Sequence, residues 1–250
     1  MWGRMRKTRL GSYLTLVIGL VVLGVFSRVA FAEDNWGCLP LEPPMTGPFD
    51  YRTPPANDML HVVEKYHFSP QVEALVRGVT AATVGPDLAY VLSHFPNHHR
   101  ALATLVRLAK RDRTHRPLGM ERSIECYFDL ALRFAPNDGV VHLLYGVWLT
   151  EAGDKKGAEA QLTAAQASVP SDNPNAQYNL GLGWFALGRY DEALAAAHAA
   201  YGMGYQLPGL RQKLEKVGKW QALPRKSAVS AESGSAEEKV APPVAEGLSQ

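Results

Sequence analysis

The stretch at 142–170, HLLYGVWLTEAGDKKGAEAQLTAAQASVP, is followed by a second version of itself at 177–205, QYNLGLGWFALGRYDEALAAAHAAYGMGY. Gly146, Gly153, Ala158 and Ala165 of the first copy match Gly181, Gly188, Ala193 and Ala200 of the second, each 35 positions on. A fixed period of this size marks a repeat architecture, in which one unit cannot bury its apolar face alone. The expected fold is therefore a stack held together by contacts between neighbouring units. The small residues say how the units pack. Gly146 and Gly181 fall where the first helix of a unit crosses the second. Gly153 and Gly188 end the first helix, at the position where a left-handed residue closes the turn. The matched alanines keep the second helix close to its neighbours, and Pro170 stops it.

The words YNLGLGWFALGRYDEAL in the second copy resemble the tetratricopeptide repeat, a helix–turn–helix unit with a period of about 34 residues. One extra residue in the link at 171–175 accounts for the difference. The resemblance implies an all-α solenoid of helical hairpins over 58–220, with clear repeats at 139–170 and 174–205. Degenerate hairpins are expected at 70–95 and 98–136, and a polar-faced capping helix at 207–220 closes the open end. In the degenerate part, PQVEALVRG (70–78) reads as a first helix and DLAYVLSHF (87–95) as its partner. RALATLVRLAK (100–110) then pairs with RSIECYFDLALRF (122–134), across a loop at 111–121 that is about six residues longer than usual for the repeat.

The helix joints explain an otherwise suggestive motif. Counting back from Pro170, earlier helix ends fall at Pro136 in RFAPND and Pro96 in HFPNHH. FPNHHRAL (95–102) is then a joint, with Asn97 expected to cap the next helix. His98 and His99 are adjacent in its first turn, so they point in different directions. Metal ligands on a helix want a spacing of four, and Pro96 separates His94 from His98. Packing and hydrogen bonding at the turn is the expected role of the pair. The words GPFDYR, HFSPQVEALVRG, FPNHHRAL, ECYFDLALRFAP and LPGLRQKL, spread over 47–214, are also similar to a group of exported tetratricopeptide proteins of Gram-negative bacteria. That resemblance implies a fold and a compartment but no activity.

The two ends lie outside the repeat. Residues 1–32 carry Arg4, Arg6, Lys7 and Arg9, then an apolar run over 13–26, then a small-x-small ending at Ala30–Phe31–Ala32. This is the layout of a secretory signal peptide, and the run is short against the roughly 20 residues of a membrane span. Periplasmic export is expected, with an uncleaved inner-membrane anchor as the alternative. Residues 33–57 form an extended, proline-rich arm, whose GPFDYR is expected to lie against the body. Residues 221–250, rich in Ala, Ser, Glu, Lys and Pro, read as a disordered tail. The leader holds five basic residues and no acidic ones, so the remainder has 21 basic against 24 acidic, a net charge of −3. Nothing in that balance points to nucleic acid. Cys38 and Cys126 are the two cysteines. After export they read as one disulfide pinning the arm to the body; two separate buried thiols are the other possibility.

Among catalytic signatures, there is no Walker loop, no G-x-S-x-G, no H-E-x-x-H and no Cys-x-x-Cys. No catalytic residue, cofactor or metal is expected. The leading functional reading is a non-catalytic scaffold in a cell-envelope assembly, holding a protein or peptide in a concave groove lined by the first helix of each hairpin. By register, that face carries Arg100, Thr104, Arg107, Lys110 and Arg111, then Leu143, Val147 and Thr150, then Tyr178, Asn179, Leu182 and Phe185. Asn179 matches the asparagine with which tetratricopeptide families hold a peptide backbone or carboxylate; the lysine and arginine partners of that clamp are missing from their expected places. Arg100, Arg107 and Arg111 form one stripe, so a groove basic at one end and aromatic at the other is expected, with a partner acidic at one end; a merely solvated basic face is the alternative. Membrane contact is expected only through an uncleaved leader. A second functional reading is an envelope enzyme or accessory with a metal or glycan site near the arm and His98/His99.

Overall fold

The structure, a computed structural model, describes Cys38 and residues 46–222. The expected leader and almost all of the expected tail lie outside the described residues. Every regular element among the described residues is a helix. In chain order these are α1 (Met59–His67), α2 (Pro70–Glu73), α3 (Gly85–His94), α4 (His99–Asp112), α5 (Ile124–Phe134), α6 (Gly139–Ala152), α7 (Lys155–Ser168), α8 (Pro174–Ala186), α9 (Tyr190–Gly202) and α10 (Gly209–Lys216). Helices α6 and α7 pack as a pair, as do α8 and α9; α4 packs on α5 and α6, α6 on α8, and α10 closes on α8 and α9. None of the described helices is long and apolar enough to cross a membrane.

The helix starts follow from local chemistry. Ser69, His98, Ser123, Asp138, Asp154 and Asn173 each turn a side-chain acceptor onto a backbone N–H of the first turn, satisfying donors that have no partner inside the helix. The C-cap of α6 is Gly153, with φ 85°, a left-handed conformation open to glycine without a Cβ penalty. Between the hairpins the packing turns on Leu162 of α7, which is fully buried. A Cβ placed on Gly146 of α6 or on Gly183 of α8 would lie 2.8 Å from its side chain. The leucine thus sits in a notch made by two absent side chains, and it joins one hairpin to the next.

Two apolar clusters result. One runs from Val63 through Phe95, Leu105 and Phe128 to Trp148 and Ala158. The other gathers Leu143, Leu162, Trp184, Ala193, Leu210 and Leu214. Both draw on α6 and α7, which therefore carry the core across the molecule.

The first hairpin differs from expectation. Residues 70–78 were expected as its first helix, yet α2 stops at Glu73 and Leu75 takes a left-handed φ of 59°. The partner of α3 is instead α1. The reason is the buried Asp87 carboxylate, which accepts from the N–H groups of Val79 and Thr80 and from the Thr80 hydroxyl, and meets His67 Nδ1. It gathers the 79–80 backbone into a loop that a helix over 70–78 would have prevented. At the other end the expected cap at 207–220 is a shorter helix, α10, followed by a turn that brings Trp220 back onto His198 and Tyr201.

The described part of the arm does lie on the body. Phe49 N donates to His94 O at 2.8 Å, and the Phe49 ring meets Phe95. Cys38 and Cys126 are bonded, S–S 2.09 Å, across 88 residues of sequence. Thiol titration of the native protein under denaturing, non-reducing conditions is expected to find no free cysteine. Packing makes a second prediction. A Cβ on Gly139 would lie 2.5 Å from the backbone of Ser168 and Val169, whereas one on Gly202 meets nothing within 4 Å. Gly139→Ala should therefore lower stability by about 1–3 kcal/mol, and Gly202→Ala should raise it by about 0.5 kcal/mol, both read from denaturant midpoints.

Candidate functional site

The histidine joint is a closed polar network. Asn97, fully buried, accepts from Tyr51 N through Oδ1 and donates through Nδ2 to Asp50 (2.8 Å) and to Asp138 (2.9 Å). It does not cap α4. That task passes to His98, whose Nδ1 accepts from Ala101 N while its Nε2 meets Glu64 at 3.0 Å. A ring accepting at Nδ1 carries its proton on Nε2, so His98 is neutral and donates to Glu64. His99 Nε2 bonds Asp138, and the Tyr51 ring lies tilted over His98 and edge-on to His99, with ring centroids 4.2 and 5.1 Å away. Both nitrogens of His98 are thus occupied, and among the described residues no group of three His, Cys, Asp or Glu could hold a metal.

Burial, aided by the nearby Arg100 charge, pushes His98 down to about 3. The hydrogen bond from Arg52, then that from Asn97, outweigh burial and hold Asp50 well below the usual carboxylate range. Burial works to raise Asp138, but hydrogen bonds from His99, Asn97 and the Val141 N–H, with the His99 charge, hold it below its ordinary value.

The expected basic wall of the groove is engaged elsewhere. Arg100 pairs with Glu73 through two nitrogens and reaches Glu64 at 3.2 Å. Arg107 donates to Glu73 O and to Thr104 Oγ1, and Arg111 to Leu75 O and Asp112. The stripe latches α4 to the segment at 64–75. Three further members of the expected face are buried: Thr104 at 0% exposure, Leu143 at 3% and Tyr178 at 7%. Thr104 lies beneath the arginine latch, and Leu143 and Tyr178 belong to the second apolar cluster.

The rest of the expected face does converge. Lys110, Val147, Thr150, Asn179, Leu182 and Phe185 line one hollow of about 280 Å³, together with Glu151, Gly183, Ala186 and Lys213. Its wall is one face of α6 and one face of α8, at spacings of three and four residues. Lys213, from α10, stands over the Phe185 ring at 5.6 Å; register could not have found it, because it depends on how the cap docks. Asn179 Nδ2 donates to Asn175 O at 2.9 Å. A second hollow of about 340 Å³ adjoins, lined by Arg113, Thr114, His115 and Trp148 among others, and it shares Lys110 and Glu151 with the first. Those two side chains pair at 2.6 Å and form the ridge between the hollows. Beneath the second, the buried Glu125 accepts from Trp148 Nε1 and meets His115 Nδ1, a link that the spacing of the residues gave no reason to expect.

A larger hollow of about 400 Å³ lies at the C-terminal end, between Tyr201, Tyr205, Arg211 and Trp220. Its polar groups hold the cap in place: the Tyr201 hydroxyl donates to Leu207 O and accepts from Arg211 N, and His198 Nε2 meets Gln221 O. The hollow between α6 and α8 is therefore the better candidate. At about 280 Å³ it falls just under the roughly 300–1,000 Å³ typical of small-molecule sites, a size suited to one or two side chains of a longer ligand. No protein-family model matches the chain, and comparison with curated proteins and with solved structures yields no match.

Since folding depresses His98, Asp50 and Asp138, the unfolded chain binds more protons than the folded one in acid, and stability falls with pH. His98 accounts for the window between 6.5 and about 3; the two carboxylates act below their ordinary 3.8. The thermal midpoint should be level above pH ~7 and fall steadily from there to pH ~3. His98→Asn should start lower and lose most of the slope between pH ~4.5 and ~6.5; a variant retaining that slope would assign it to another group.

Proposed function

We propose that this chain is an exported tetratricopeptide-type scaffold that holds a segment of a protein partner across the hollow between α6 and α8. The observation that carries this reading is the convergence of Val147, Thr150, Asn179, Leu182 and Phe185 with Lys110 and Lys213 around one open, largely apolar depression. The matched repeats and the pairing of α6 with α7 and α8 with α9 support the solenoid. The leader-like first 32 residues and the Cys38–Cys126 bond support an oxidising compartment beyond the cytoplasm.

The partner segment presents an apolar or aromatic side chain to Val147, Leu182 and Phe185. An acidic group close to it meets Lys213, and Asn179 offers an amide to the backbone of the segment. Its charged contact is therefore with Lys213 and not with Lys110, Arg100, Arg107 and Arg111, which are engaged within the chain. The adjoining hollow beyond the Lys110–Glu151 ridge extends the track toward Trp148. The reading of a metal or glycan enzyme near the arm gains no support, since both His98 nitrogens and His99 Nε2 are already bonded.

Photocrosslinking in the producing cell tests the proposal. A photoreactive residue at 147 or 182 should give the same single adduct, and one at 133, on exposed α5 surface, should not. Lys213→Glu should weaken that adduct several-fold with the helical signal unchanged. Equal crosslinking from 133, or none from 147 and 182, would end the reading.

A further inference from the structure

We propose that the turn at 113–123, together with the neighbouring loop at 74–84, is a docking edge for an anionic phospholipid surface. This edge shares no lining residue with the α6–α8 hollow, while Arg113, Thr114 and His115 of its turn also line the adjoining one. Three large apolar side chains are left in water here, Val79 and, most exposed, Leu118 at 75% and Val76 at 72%. Leu118 and Val76 rim the same hollow of about 200 Å³, with Arg77 and Arg111 beside them and Asp112 as the one acid.

The exposure is built in. Pro117 and Met120 on either side of the Leu118–Gly119 tip are buried. The tip backbone is pressed so closely onto α3 that a Cβ on Gly85 would lie 2.2 Å from Leu118 O. Leu118 is thus held outward by a fixed backbone. Val76 is presented in the same way, because its N–H bonds Gln71 O and Arg111 donates to the preceding carbonyl, Leu75 O. Two rigidly presented apolar points have no partner within the described fold that would explain them.

Charge selects the occupant. The segment at 110–122, KRDRTHRPLGMER, holds five basic residues against two acidic, in a chain whose portion after the leader is net negative. Lys110 pairs with Glu151 and Arg111 with Asp112, so the exposed surplus of the segment rests on Arg113 and Arg116, to which the neighbouring loop adds the exposed Arg77. A peptide partner would need a concavity around its side chains, whereas Leu118 and Val76 project. A bilayer accepts projecting apolar side chains while arginines remain at the headgroup level. Neither signal alone holds a protein on a membrane; apolar insertion and basic charge together do.

The test places an environment-sensitive dye on the full chain at Leu118→Cys, with the native disulfide oxidised, and a control dye at Met203→Cys near the other end. A retained leader would bind any bilayer; the dye reports this edge whether or not it is present. On phosphatidylglycerol-containing vesicles the dye at 118 should shift to the blue and be quenched by acyl-chain nitroxides, and the dye at 203 should not. Phosphatidylcholine vesicles should give neither change. Arg77→Glu with Arg116→Glu should raise the anionic lipid needed for half the shift at least about tenfold, and Val76→Asp should diminish the quenching without altering helical content. A dye at 118 that stays in water on anionic vesicles would overturn the proposal. So would an equal shift on neutral vesicles, or a shift produced by soluble polyglutamate alone, which would make the edge a general polyanion patch.

Discussion

The carboxylate of Asp138 binds together parts of the chain that sequence keeps far apart. It caps α6 through Val140 and Val141, accepts from Asn97 of the preceding joint, pairs with His99 on α4, and lies 3.5 Å from Arg52 of the arm. Its side chain is 2% exposed, so it must be hydrogen-bonded on all sides to remain charged there. Of these donors the buried Val141 N–H has no other acceptor, and leaving such a group unpaired costs about 1–3 kcal/mol. The starts of α4 and α6 and the Arg52 part of the arm thus meet at this one group. Asn97 and His98 take their unexpected roles from it: once Asn97 is drawn to Asp50 and Asp138, the N-terminus of α4 needs another acceptor, and His98 Nδ1 supplies it.

What could be read from sequence follows the range of the interaction responsible. The pairs α6–α7 and α8–α9 were legible because their packing is local and repeated. Gly146 must be small where Leu162 approaches, and Gly153 must turn, whatever surrounds them. The first pair was not legible. PQVEALVRG has helical spacing and a Ser-Pro start, and only the Asp87 carboxylate, which draws the 79–80 backbone into a loop, ends that helix early. The groove divides in the same way. Val147, Leu182 and Phe185 were found from register, because neighbouring hairpins bring equivalent faces together. The arginine stripe on α4 was found as a stripe, but its partner was not, since nothing in the spacing of Arg100, Arg107 and Arg111 reveals that Glu64, Glu73 and Leu75 O lie across from it. Lys213 was missed because cap docking is decided by Leu210 and Leu214, which bury themselves against α8 and α9.

The hollow and the histidine joint contrast in a way that bears on function. At the joint, Asn97, His98, His99 and Asp138 answer one another, and the result is rigidity. Around the hollow the apolar walls are half-exposed, and of its two lysines one pairs with Glu151 while the other rests over the Phe185 ring. The joint is finished by its own chain, whereas the hollow keeps apolar walls and a cation over an aromatic face, which is why the partner proposed above is placed there.

The two ends of the molecule also differ in how far the chain must reach to form them. In the C-terminal half, each helix packs on the next, so stabilising contacts arrive after short loops close. At the N-terminal end, Asn97 meets Asp50 and Asp138 over separations of 47 and 41 residues, and the cysteine bond spans 88. Loop-closure entropy makes such contacts late ones. Sequence separation therefore favours an order opposite to synthesis, in which the local contacts of the last hairpins close at lower entropic cost than those that seat the arm.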